Sequence, residues 1–144
     1  MITVSMVLSL ALVGADPTPK PDQKELDLLA GEWVVEQLEA RGQKIALKED
    51  KLVLEIKGNR WIFTGKEKGE IVALDNKTNP KCMDVRSAEE GRRGQIDEAI
   101  YKIDGDTLTI CIHQGKGKLR PVRFETSPEL PDTILAVCKR TKKD

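Results

Sequence analysis

Residues 99–113 read AIYKIDGDTLTICIH. Two runs of alternating polarity meet at Asp104-Gly105, a strong short-range signal for a two-residue β-hairpin. A turn at that pair sets Ile103 against Asp106, Tyr101 against Leu108 and Ala99 against Ile110. One face of the ribbon then carries Tyr101, Leu108, Ile110 and Ile112. The other carries Ile100, Lys102, Thr107, Thr109, Cys111 and His113. A slip of one residue would exchange the two faces and expose the apolar set, so burial fixes the register. Cys111 and His113 are therefore expected to point away from the interior.

A second hairpin reads the same way. Lys57-Gly58-Asn59-Arg60 suits a primed two-residue turn, because Gly and Asn accept positive φ. Closing it there sets Ile56 opposite Trp61 and Leu54 opposite Phe63, all on one face. The reverse face, with Val53, Glu55, Lys57, Arg60, Ile62 and Thr64, is mixed and suits contact with water. Strands are expected over 32–39, 51–57, 60–64, 69–75, 81–86, 95–103, 107–113, 121–125 and 133–140, after a short helical turn over 24–30. Short strands punctuated by regular turn signals indicate an all-β sandwich or barrel rather than βαβ units.

The chain has 144 residues, enough for one domain of this kind. Lys and Arg together number 24, as do Asp and Glu, so the net charge is zero. A neutral chain has no electrostatic footprint for phosphate backbones, and its scarce aromatics make no stacking platform, which argues against nucleic acid. Residues 1–15, MITVSMVLSLALVGA, are uncharged and end in small residues suited to signal-peptidase cleavage before Asp16. They lack the basic opening usual in such peptides and are too short for a membrane span. The expected division is a signal peptide over 1–15, a Pro-rich spacer over 16–23 and a barrel domain over 24–144. The mature chain is then exported to the periplasm, envelope or exterior, has no integral membrane segment, and is expected to be a monomer.

Cys82, Cys111 and Cys138 allow at most one bridge, and buried free thiols acting as small hydrophobes are the simpler expectation. With one histidine and no paired Cys spacing, no metal site and no cofactor are expected. Cys111 and His113 lie two apart on a flat strand, where side chains diverge, so they make a poor nucleophile–base dyad. Gly115-Lys116-Gly117-Lys118 lacks the spacing of a phosphate loop and reads as a hairpin turn. Glu89 to Gly94 (EEGRRG) reads as a solvated loop, and Arg92, Arg93, Lys116, Lys118 and Arg120 read first as solvated loop ends, with a basic rim for an anionic partner as the lesser alternative. No catalytic set emerges.

Several segments together form a familiar pattern: Leu29-Ala30-Gly31-Glu32-Trp33, DNKTNPKCMD over 75–84, Ala99-Ile100-Tyr101, Asp104 to Leu108, Arg120-Pro121 with Phe124, and a terminal Lys139-Arg140. Jointly they resemble a small lipocalin-like domain family widespread in planctomycete bacteria, over roughly residues 25–140. The pattern's G-I-Y has Ala99 in place of its glycine. The resemblance implies an antiparallel up-and-down barrel of about eight strands and no particular reaction. It further implies that Trp33, after Gly31, plugs the closed end, with Arg140 lying across its ring.

Such a barrel is either filled by side chains or left open for one small guest. The expected lining is Leu54, Ile56, Trp61, Phe63, Val72, Tyr101, Leu108, Ile110 and Phe124. It suits a small apolar ligand, with the Tyr101 hydroxyl to orient it. The alternative is a filled-core barrel whose surface recognises a protein or an envelope polymer.

Overall fold

The computed structural model describes residues 21–48 and 51–141. A short helix, α1 (Gln23–Leu29), precedes nine strands: β1 (Gly31–Ala40), β2 (Gln43–Lys44), β3 (Val53–Lys57), β4 (Arg60–Phe63), β5 (Lys66–Asp75), β6 (Lys81–Ser87), β7 (Ile96–Asp104), β8 (Thr107–His113) and β9 (Thr133–Arg140). Strand β2 is a two-residue return on the end of β1. The other eight follow one another around an antiparallel barrel that closes where β9 pairs back onto β1. The expected signal segment and most of the spacer lie outside the described residues. Among the described residues no helix is long and apolar enough to cross a membrane.

The two diagnostic hairpins are present. Around Gly58-Asn59, Ile56 pairs with Trp61 and Leu54 with Phe63, as their polarity demands. In the second hairpin Asp104 pairs with Thr107 and Tyr101 with Ile110, so the two-residue loop is Gly105-Asp106, one position later than expected. Both loops place glycine first, with φ of 63° at Gly58 and 62° at Gly105, where an L side chain would be strained. Moving the turn by one residue shifts every cross-strand partner by two. Two is the side-chain period, so the inward and outward sets are unchanged.

Bulges re-aim side chains at three places. In β1 the pairing with β9 shifts between Val35 and Gln37, which turns Leu38 inward after Val35. In β5 a shift between Ile71 and Ala73 puts both Ile71 and Leu74 in the core and sets Val72 aside. Between β4 and β5, Trp61 pairs with Gly69 and Ile62 with Glu67, leaving Lys68 as the extra residue. Strict alternation fails at such positions, because each inserted residue resets the face.

The segment expected as a strand over 121–125 is not one. Residues 114–132 form a long strap, with no strand pairing, between β8 and β9. The Gly115–Lys118 stretch accordingly bends into the strap instead of closing a hairpin. Arg120 clamps the strap to the outside of β6 and β7. Its guanidinium donates to Asp84 Oδ1 at 2.5 Å, to the Ala99 carbonyl at 2.8 Å and to the Met83 carbonyl at 3.2 Å. Further along, Thr126 Oγ1 donates to Glu39 and accepts from the Gly42 amide. The outward residues Ile100, Cys111 and His113 are thereby buried, and every residue of β8 beyond Thr107 is buried too. Cys111 and His113 do face away from the barrel interior, yet they sit beneath the strap and not in water.

Candidate functional site

One end of the barrel is closed by α1 and a ring of satisfied polar groups. Leu26 and Leu29 of the helix enter the core. Trp33 is fully buried, and its indole Nε1 donates to the Leu29 carbonyl at 2.8 Å. The Arg140 guanidinium lies 4.1 Å from the Trp33 ring centroid and donates to the carbonyls of Ala30 (2.7 Å) and Leu28 (2.8 Å). That cation–π contact contributes about 0.5–2 kcal/mol. Gly31 has φ of +125°, and a Cβ there would stand only 3.0 Å from Arg140 Nη1, so a bare α-carbon gives the guanidinium its seat.

Glu25 of α1 completes the closure. Its carboxylate accepts from Tyr101 Oη at 2.7 Å, Lys81 Nζ at 3.0 Å and Asn76 Nδ2 at 3.2 Å. Burial pushes the Glu25 carboxyl up, but these three donors outweigh it and hold the group below its ordinary range. Burial and the Glu25 charge both raise Tyr101, which stays a neutral donor.

The opposite end is not filled. A cavity of about 400 Å³ occupies it, partly open to solvent at the mouth. Val35, Leu38, Leu54, Trp61, Phe63, Ile110, Ile112, Ile134, Ala136 and Cys138 make the walls. The cause is the distribution of large side chains. Trp33 and Tyr101 pack in the closed half, and Phe124 is outside on the strap, where Lys102 Nζ stands 4.9 Å from its ring. Only Trp61 and Phe63 bring aromatic bulk to the open half, and they face the short side chains Val35, Ala136 and Cys138. The volume falls within the ~300–1,000 Å³ range of small-molecule pockets.

Among the described residues, the charged and amide side chains at the cavity are Lys68, Glu89 and Gln114, which border its mouth. Lys68 Nζ lies 3.4 Å from Glu89 Oε2, and the other Glu89 oxygen is held by Arg92 Nη2. Arg92 also donates to both oxygens of buried Asp97 and to the Gln114 carbonyl. These contacts hold Glu89 below the ordinary carboxylate range, with the Arg92 hydrogen bond as the main cause. The 89–94 stretch is thus a braced rim and not a freely solvated loop. Arg92 and Arg120 are both engaged in ion pairs, so they are not free members of a basic patch.

Of the residues expected to line a pocket, Leu54, Trp61, Phe63 and Ile110 do so. Ile56, Tyr101 and Leu108 also face inward but belong to the packed closed half. Val72 is set aside by the β5 bulge, and Phe124 lies outside the barrel. No family model matches this chain, and neither a curated protein nor a solved structure does. The remaining walls were partly legible: with Arg140 inward, alternation back along the last strand turns Cys138, Ala136 and Ile134 inward as well. Lys68 had no such signal, because a bulge aims it.

The three cysteines are free thiols. Burial pushes Cys111 up to about 11 and Cys138 up to about 12, so neither is a thiolate near neutral pH. Cys111 Sγ contacts the Glu125 carbonyl at 3.5 Å, and His113 Nδ1 faces Thr133 Oγ1 at 3.5 Å, so each has its own neighbour. Among the described residues no group of three or more His, Cys, Asp or Glu is placed to hold a metal ion.

Proposed function

We propose that this chain is an exported, lipocalin-like binding protein that carries a small apolar ligand in the open half of its barrel. The observation that carries the reading is the largely apolar cavity of about 400 Å³, whose charged side chains among the described residues stand at its mouth. Filling it removes apolar surface from water at both ligand and wall, about 0.8 kcal/mol per buried methylene. The alternative, a barrel that works only through its exterior, relies on a filled interior, and only the closed half has one. Export rests on the sequence of residues 1–15, and membership of the planctomycete lipocalin-like family rests on the motif pattern given above.

Native mass spectrometry of the purified chain tests the carrier reading. A discrete added mass, lost after organic extraction and regained on adding decanol, is the expected result. A chain that shows only its own mass, and takes up no decanol, would refute it.

A further inference from the structure

We infer that the ligand is a single-chain amphiphile with an anionic head, its chain in the barrel and its head at the mouth on Lys68. The inference rests on the carrier reading and adds what kind of molecule is carried.

Chain length follows from volume. A methylene takes close to the liquid volume of a water molecule, about 30 Å³, so 400 Å³ accommodates a chain on the order of ten carbons. Orientation follows from the walls. Below the mouth they offer Leu54, Trp61, Ile110 and the neutral Cys138 thiol, with no charged side chain among the described residues to answer a head group. A polar head carried to that depth would lose its water without replacement, so it stays at the rim.

The sign of the head follows from how far each rim charge is already answered by its neighbours. Glu89 has two cations beside it, Arg92 at one oxygen and Lys68 at the other. Arg92 is committed to Asp97, Glu89 and the Gln114 carbonyl. Lys68 is different. Its ammonium has three N–H donors and one carboxylate neighbour, at a long 3.4 Å, and it is about a third exposed. It can accept a second anion without abandoning Glu89, which Arg92 would hold in any case. The β4–β5 bulge makes Lys68 the extra residue and brings it to the cavity edge. A cationic head at Glu89 would stand beside the like charges of Arg92 and Lys68.

Calorimetric titration of the wild-type chain with decanoate, decanol and decyltrimethylammonium at pH 8 tests the assignment, alongside Lys68→Met, which keeps the apolar stem and removes the charge. Decanoate should bind about five-fold tighter than decanol, in line with a partly exposed ion pair, and decyltrimethylammonium weakest. The advantage of decanoate over decanol should shrink with added salt and vanish in Lys68→Met. Equal binding of decanoate and decanol, insensitive to Lys68→Met, would overturn the anionic head and leave the carrier reading standing. Tightest binding of the cation would overturn it in favour of Glu89. Failure of all three probes to bind would remove the carrier reading itself, and this inference with it.

Discussion

The two ends of this barrel are built from the same strands and reach opposite outcomes. At the closed end the largest side chains meet: Trp33, Tyr101, Leu29 and Ile56 are essentially without exposure, and each polar atom of Trp33, Tyr101 and Glu25 has a partner. At the open end the inward residues of β1 and β9 are Val35, Ala136 and Cys138, too small to reach Trp61 and Phe63 across the lumen. Closure of the strand ring does not by itself decide whether a barrel is a core or a container. Side-chain volume, distributed unevenly along the strands, decides it, and here half of the lumen is core and half is space.

The largest effect of a single substitution should come from the closed end. Trp33→Ala removes the plug, the Arg140 stacking surface and the Leu29 hydrogen bond, and should cost about 3–5 kcal/mol in urea unfolding. A loss below about 1 kcal/mol would mean that this end is not the packed half.

Next is the polar closure. Glu25→Gln removes the charge that Lys81 and the Tyr101 hydroxyl answer, and should cost about 1–3 kcal/mol at neutral pH. Because its partners hold the folded Glu25 carboxyl below its value in the unfolded chain, the unfolded state takes up this proton first as pH falls. The contribution of Glu25 is therefore complete above the ordinary carboxylate range and is lost as pH drops through the lower folded value. Urea midpoints measured from pH 7 to pH 3 should fall more steeply for the wild type than for Glu25→Gln. Parallel curves would contradict the role given to Glu25.

Much of the closed end was legible in the sequence. The Gly58-Asn59 hairpin, the inward faces of β3, β4, β7 and β8, and the stacking of Arg140 on Trp33 follow from alternation, turn chemistry and a motif pattern. What escaped has two physical causes. The β5 bulge broke the period on which the placement of Val72 relied, and the β4–β5 bulge aimed Lys68 at the mouth. Phe124 and the 114–132 strap escaped for a second reason. An irregular segment pinned by one arginine to Asp84 and two carbonyls has no periodicity to read. The cavity itself was left open by the sequence, since inward direction can be read from alternation but the volume remaining between opposite walls cannot.

The smallest stability effect belongs to the open end, and it is also the sharpest discriminator between container and core. Ala136→Phe projects a ring into the space between β9 and the Trp61 wall. Urea unfolding and decanol titration of this variant, followed by tryptophan emission, should be measured against the wild type. The prediction is a stability within about 1 kcal/mol of the wild type, since the ring enters existing space and strains nothing, together with loss of decanol binding. A penalty of several kcal/mol, or decanol binding that survives the filled lumen, would contradict a ligand-sized cavity at this end of the barrel.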